Sequence, residues 1–80
     1  MREHFVEWVI AALKAYDGEA TIVEVCRHIW EHHEGQLREA GDHFFTWQYD
    51  VRWAANQLAR KGFLEYGRRG RNNLWILKGK

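Results

Sequence analysis

The sequence predicts an α+β domain made of three helices, one short strand and a C-terminal β-hairpin. Three segments carry apolar residues at helical spacing, a capping box precedes the second, and two short apolar runs follow the third. The 80 residues are 46% hydrophobic and 15% aromatic, which is enough apolar material for one small core. We therefore expect a single domain over residues 1–80.

The first helix is predicted over about residues 3–16, and Asp17-Gly18 ends it. One face of this segment is apolar, with a period close to that of an α-helix. The residues on this face are Phe5, Trp8, Val9, Ala12, Leu13 and Tyr16.

A capping box indicates the second helix. The Thr21 hydroxyl can accept a hydrogen bond from the amide of Glu24, whose carboxylate can reach back to the amide of Thr21. The helix is predicted over about residues 22–33, and residues 19–21 can pair as a short strand. Residues 34–45 are less regular, with one helical turn expected within them.

Thr46 is predicted to cap a third helix over about residues 46–61, and Gly62 stops it. Its buried stripe consists of Trp47, Val51, Ala54, Ala55 and Leu58. Two apolar runs, 63–66 and 74–77, predict a hairpin with a longer loop. This order of elements is that of a winged helix-turn-helix, in which the third helix is the reading element and the hairpin is the wing.

Charge is divided unevenly along the chain. Residues 1–50 hold four Lys/Arg against ten Asp/Glu, a net charge of −6, and residues 51–80 hold eight against one, a net charge of +7. Such a split favours a polyanionic partner when the cations share one surface; the alternative is a solvated basic tail. The single Cys permits no internal disulfide and predicts a cytoplasmic setting, and no apolar run is long enough to span a membrane.

The face of the third helix opposite its buried stripe is suited to base edges. Arg52 can donate twice to guanine, and Asn56, one turn later, can pair with adenine. The N-terminal half of such a helix enters the major groove, which favours Gln48 and Tyr49 as further readers, while Arg60 is expected at a phosphate. A polar face is also what any surface helix shows.

Two residues of this helix are ambiguous. Trp53 either stacks on the hairpin or packs against the first helix as part of the core. Asp50 repels phosphate, and it either pairs with a neighbouring Arg or accepts from cytosine N4.

Cations also gather in the predicted hairpin loop. Arginines there can enter a narrow minor groove or bind phosphate, and Gly67 and Gly70 are expected to let the backbone turn. Charged hairpin tips can instead deter edge-to-edge aggregation. We expect the helix and loop to converge, so that Arg52 and Arg69 share one positive surface. The predicted DNA contacts are Thr46, Gln48, Tyr49, Arg52, Asn56, Arg60, Arg68, Arg69, Arg71 and Asn72.

A family resemblance rests on several short motifs. They are Val51-Arg52-Trp53-Ala54, Leu58, Lys61-Gly62, Leu64, Arg69-Gly70, Trp75 and Leu77. Through them the stretch from Trp47 to Leu77 resembles the N-terminal winged-helix domain of Mrr-type restriction systems. The earlier part fits as well, with a helix leading into Gly18 and another after Thr21.

The resemblance implies a DNA-binding module attached to a nuclease or another effector. It also implies structural roles for Trp53 and Trp75 and reading roles for the residues before Val51. The chain departs from the family at Tyr49-Asp50, where Asn-Arg is common, and in the extra residues 71–74 before Trp75. Both departures touch the predicted DNA-facing surface, so no target sequence is carried over.

No catalytic residue, metal or cofactor is predicted. Mrr-type nucleases carry their catalytic domain beyond the winged helix, and Glu65-Tyr66-Gly67 lacks the Lys of an acid-x-Lys motif. His28 and His32 have helical metal-ligand spacing, with Cys26, His33 and His43 as candidate further ligands. Because Cys26 lies roughly 160° around the helix from His28, a solvated His-rich face is the favoured interpretation.

The predicted function is therefore binding of double-stranded DNA, as the targeting module of a restriction-type or regulatory protein. The alternative is a winged-helix protein-interaction module, for which the five Trp would supply anchors. An attached effector or nuclease domain and a homodimer are both left open, and no membrane partner is expected.

Overall fold

The computed structural model describes residues 2–78, so residues 1, 79 and 80 of the predicted domain lie outside it. The elements are α1 (His4–Ala15), β1 (Glu19–Thr21), α2 (Ile22–Arg38), a 3₁₀ segment (Gly41–Phe45), α3 (Trp47–Arg60), β2 (Leu64–Arg69) and β3 (Asn72–Leu77). Within residues 2–78 the chain is thus a small α+β fold with three α-helices and a three-stranded antiparallel sheet. The prediction is confirmed at that level.

Strand β3 is the centre of the sheet, which has the order β1-β3-β2. It pairs on one side with β1, where Ala20 lies opposite Trp75, and on the other with β2, where Leu64 lies opposite Leu77. The predicted short strand before the second helix is therefore present and is joined to the hairpin.

The core lies between the helices and one face of the sheet. Most of its members belong to the predicted apolar stripes or to the sheet, but Trp8 and Tyr16 of the predicted α1 stripe are only partly buried against it, and Leu37 lies beyond the predicted second helix. The buried apolar residues are Phe5, Val9, Ala12, Leu13, Ala20, Val25, Ile29, Leu37, Trp47, Val51, Ala54, Ala55, Leu58, Leu64, Leu74 and Trp75.

The ends of α1 and α3 agree with the predicted stop signals. Gly18 has φ +101° and its N–H donates to the carbonyl of Leu13 at 2.7 Å. After α3, Gly62 has φ +86°, and the N–H of Phe63 donates to the carbonyl of Leu58 at 2.9 Å. This second arrangement is a Schellman motif, which needs a left-handed residue at the position Gly62 occupies.

The predicted capping box is confirmed at the start of α2. The backbone N–H of Glu24 donates to Thr21 Oγ1 at 3.2 Å, and the N–H of Thr21 donates to Glu24 Oε1 at 2.9 Å. Thr21 has an extended backbone, with φ −76° and ψ 163°, which lets its side chain fold back over the first turn.

Helix α2 is longer than predicted. It continues to Arg38, with a kink at His33, where φ is −134° and ψ is 23°. The extension places Leu37 in the core with no exposed surface, and Arg38 Nε donates to Glu34 Oε2 at 2.7 Å one turn away. Burial of Leu37 therefore outweighs the low helix propensity of Gly35.

The predicted side-chain cap at Thr46 is wrong. Thr46 occupies the N-cap position of α3, but its side chain makes no capping hydrogen bond. Its φ of −129° and ψ of 6° lie outside the extended region from which a hydroxyl reaches the first-turn amides. Its hydroxyl is thus not used to cap α3.

The hairpin also differs from its prediction. Instead of a long flexible loop, β2 and β3 extend to the pair Arg69–Asn72 and leave the two-residue turn Gly70-Arg71. Gly70 has φ +61°, as the first position of a type II′ turn requires. Gly67 serves another purpose than turning, because a Cβ there would lie 2.8 Å from Ile76 Cδ1.

None of the helices in the described part of the chain combines the length and apolar character needed to cross a membrane.

The two threonine N-caps give the first testable prediction. Thr21→Ala should lower the free energy of unfolding by about 1 kcal/mol because it removes a formed cap. Thr46→Ala, the matched control at a cap position with no cap bond, should change it by less than about 0.5 kcal/mol. Urea unfolding followed by circular dichroism measures both, and equal losses would contradict the assigned difference.

Candidate nucleic-acid interface

The exposed face of α3 gathers half of the predicted DNA contacts. At ~100° per residue they lie within an arc of roughly 120°, opposite the buried stripe. These residues are Gln48, Tyr49, Arg52, Asn56 and Arg60, all of them exposed. Thr46, at the start of the helix, is exposed as well.

Helix α3 and the hairpin lie next to each other. Between them lies a groove of about 400 Å³, lined by Arg52, Asn56, Tyr66, Gly67, Asn73 and Trp75. One hydrogen bond joins two of its lining residues: Tyr66 Oη donates to Asn56 Oδ1 at 2.6 Å. The groove therefore has one wall from α3 and one wall from the sheet.

Each hairpin arginine takes a different position. Side chains alternate along a strand, so Arg68, opposite Asn73, lies on the same face as Tyr66 and Trp75, toward α3. Arg69, opposite Asn72, lies on the other face. Arg71 stands in the turn. Arg68, and not Arg69, is thus the arginine on the α3 side, which corrects the expected convergence of Arg52 with Arg69.

Arg69 is paired with an acid. Its Nη1 lies 3.3 Å from both carboxylate oxygens of Glu24, in the first turn of α2. Because β3 lies between β2 and β1, and α2 follows β1 directly, the Arg69 side chain passes over β3 to reach Glu24.

Asp50, the acid that would repel phosphate on a helix predicted to read DNA, is turned inward. It is 8% exposed, and its carboxylate lies 3.5 Å from Arg2 Nε and 3.6 Å from His43 Nδ1. Of its two predicted alternatives, pairing with an arginine is the one found, and that arginine is Arg2. Oδ2 of Asp50 has no hydrogen-bond partner among the described residues.

Trp53 has the structural position that the sequence left open. Its side chain is half-buried against the core, and the Arg2 guanidinium carbon lies 4.5 Å from its ring centroid. Trp75 is 5% exposed in the central strand. Both tryptophans pack the domain and leave the polar arc of α3 open to solvent.

A second groove borders α3 on the side of α2. It has a volume of about 690 Å³ and is largely apolar; its lining is Ile22, Val23, Cys26, Arg27, Trp30, Phe44, Trp47, Gln48 and Arg52. Arg52 therefore stands between the two grooves. Helical periodicity in the sequence does not predict this second groove. The groove depends on the packing of Phe44, in the 3₁₀ segment, near Trp30, where the ring centroids are 6.2 Å apart.

Cys26, His28 and His32 lie on helix α2. Burial raises the pKa of the Cys26 thiol to about 11, although the nearby Arg52 guanidinium opposes the shift, so the thiol is neutral at pH 7. The rings of His28 and His32 stack with centroids 4.0 Å apart, and His32 Nδ1 contacts the carbonyl of His28 at 2.9 Å. Between residues 2 and 78, no group of three or more His, Cys, Asp or Glu side chains could hold a metal ion.

No protein family, curated protein or solved structure gives a significant match to the chain. Its function is accordingly inferred from its own residues.

Tyr66, which the sequence left unassigned, couples the two walls of the hairpin-side groove. Tyr66→Phe should lower the free energy of unfolding by about 0.5–1 kcal/mol, and by nearly nothing in an Asn56→Ala background. Tyr49→Phe is the matched control, because its hydroxyl has no described partner and its side chain is 72% exposed. Urea unfolding of the double-mutant cycle measures the coupling; equal effects of Tyr66→Phe in both backgrounds would contradict it.

Proposed function

We propose that the domain is a winged helix-turn-helix that binds double-stranded DNA, with α3 in the major groove and the β2–β3 hairpin as the wing. The observation that carries the proposal is the groove between α3 and the hairpin. Arg52 lines it from the helix, Asn73 lines it from the sheet, and Arg68 lies on the same strand face. A helix with cations at its polar face, flanked by a cationic hairpin, suits a duplex with phosphates on both sides of a groove.

Arg52 is the best-placed base reader. It is exposed in the N-terminal half of α3, and it makes no ion pair with any other residue between 2 and 78. Its guanidinium is therefore free to donate to guanine O6 and N7.

Asn56 is suited to a narrower task than the sequence suggests. Its Oδ1 already accepts from Tyr66, which leaves its amide N–H groups as donors. Bidentate pairing with adenine needs both the oxygen and the nitrogen, so Asn56 is better suited to donate a single bond to a base or a phosphate.

Phosphate contacts are assigned to Arg60 near the end of α3 and to Arg68 and Arg71 of the hairpin. All three are exposed, and in the described part of the chain none is paired with an acid. Because Asp50 points inward, its negative charge, which would repel phosphate, is kept away from this surface. Each phosphate neutralised adds about −0.9 to the slope of log K against log salt.

The resemblance to Mrr-type winged-helix domains supports a wider role. The packed positions of Trp53 and Trp75 agree with the structural roles that the resemblance assigns to them. We therefore propose that the domain targets a restriction-type or regulatory protein to DNA, with any catalysis supplied by an attached effector.

A second candidate function is protein binding through the groove between α2 and α3. The observation in its favour is the apolar lining, together with Val23, which is 61% exposed at its edge. Exposed apolar grooves are typical of surfaces that receive a helix from a partner. Arg27 and Arg52 line the same groove and would favour an acidic segment.

The proposed reading role of Arg52 is tested by substitution. Arg52→Ala should weaken binding to a preferred duplex by about 1–3 kcal/mol. Lys14→Ala is the matched control, because it removes the same charge from an exposed site on α1, and it should leave affinity nearly unchanged. Fluorescence anisotropy with labelled duplexes at two salt concentrations measures both variants.

The outcome also separates the two candidate functions. Amide shift changes on adding duplex should fall in residues 47–60 and 66–73 if the DNA proposal is right. If no duplex binding is detected even at low salt, the DNA proposal is contradicted and the protein-binding alternative is favoured. Equal losses in Arg52→Ala and Lys14→Ala would show that the assigned face is wrong.

A further inference from the structure

We propose that Glu24 is an internal competitor for the DNA phosphate that Arg69 would otherwise bind, so that this carboxylate limits the affinity of the domain. The inference rests on the proposed DNA-binding function. Arg69 is one of three arginines at the tip of the hairpin, and within residues 2–78 it is the only one of the three with an acidic partner.

The geometry of the pair makes it a competitor for an outside anion. Arg69 Nη1 is 3.3 Å from Glu24 Oε1 and 3.3 Å from Oε2, so one nitrogen is shared between two oxygens. The Arg69 side chain is 48% exposed and that of Glu24 is 29% exposed. A single shared nitrogen in a partly hydrated pair leaves the other guanidinium donors available to a phosphate, which can then displace the carboxylate from Nη1.

Glu24 cannot simply move away when a phosphate arrives. Its Oε1 also accepts from the N–H of Thr21 in the capping box, which ties the carboxylate to the first turn of α2. That backbone hydrogen bond and the Arg69 guanidinium hold the pKa of the Glu24 carboxyl below its ordinary value. The carboxylate is therefore charged at neutral pH, and on binding it is left as an uncompensated negative charge near the DNA.

The pairing has a consequence for the salt dependence of binding. Arg52, Arg68 and Arg71 enter the complex without losing a protein partner, whereas Arg69 exchanges one anion for another. Arg69 should accordingly contribute less than one full phosphate to the salt slope of the wild-type protein.

Glu24→Gln is the informative substitution. Gln at the third helical position still completes a capping box, so the helix start is kept while the charge is removed. We expect tighter binding to a random-sequence duplex and a salt slope steeper by up to about 0.9, the value for one phosphate. The gain in affinity should then be larger at 50 mM than at 200 mM salt, by up to about threefold.

The double-mutant cycle with Arg69→Gln decides whether Glu24 acts through Arg69. In the Arg69→Gln background, Glu24→Gln should no longer steepen the slope, because no released cation remains. Glu65→Gln is the matched control, because it removes an acid from the same hairpin. Glu65 Oε1 lies 3.4 Å from Lys78 Nζ, so this variant also frees a cation from its acidic partner. It should leave the salt slope unchanged.

A measurement without DNA tests the pair itself. Arg69→Gln should raise the pKa of the Glu24 carboxyl. The carbon-13 chemical shift of that carboxyl during an acid titration measures this pKa. Thermal unfolding of each variant confirms that the fold is kept.

The outcomes are separable from those of the proposed function. If wild-type protein binds duplex but Glu24→Gln gives no gain, or the same gain in both backgrounds, the competitor role is overturned and the DNA proposal stands. If wild-type protein shows no salt-dependent binding, both fall. An unchanged Glu24 pKa in Arg69→Gln would overturn the ion pair directly.

Discussion

The double pairing of β3 is the constraint on which the rest of the domain depends. Its partner β1 leads directly into α2, and its partner β2 follows α3, so one strand sets the start of α2 relative to the end of α3. Trp75, buried on this strand, ties the sheet to the helical core. Any DNA-facing surface shared by α2, α3 and the hairpin is positioned through these two strand ladders.

The same constraint explains why two grooves of different character meet at Arg52. On the hairpin side, the wall consists of sheet residues such as Tyr66 and Asn73, which are polar and exposed. On the α2 side, the wall comes from residues such as Trp30, which complete the packing between helices. Arg52 thus has an apolar neighbour surface on one side and a hydrogen-bonding surface on the other, which restricts how its guanidinium can approach a base.

Local signals predicted the regular parts of the fold well. The capping box at Thr21, the stop at Gly62 and the apolar stripes depend on neighbours within a few residues, and each appears where the sequence indicates. One error arises where distant packing decides, and two others are local. Helix α2 continues past His33 because Leu37 reaches the core. The longer hairpin strands depend on the tight turn between Arg69 and Asn72, and the unused cap depends on the backbone angles of Thr46 itself.

The candidate site is likewise predictable from the sequence only in part. The exposed arc of α3 follows from helical periodicity, whereas the orientation of a strand arginine depends on register, and a change of one residue reverses it. Counting cations along the chain treats Arg68 and Arg69 as equivalent. Pairing with Glu24 makes them different, because an acid from the negative half of the chain neutralises a cation from the positive half. The surface proposed to meet a duplex is therefore shaped by which cations lack an internal partner, a property of the folded contacts rather than of net charge.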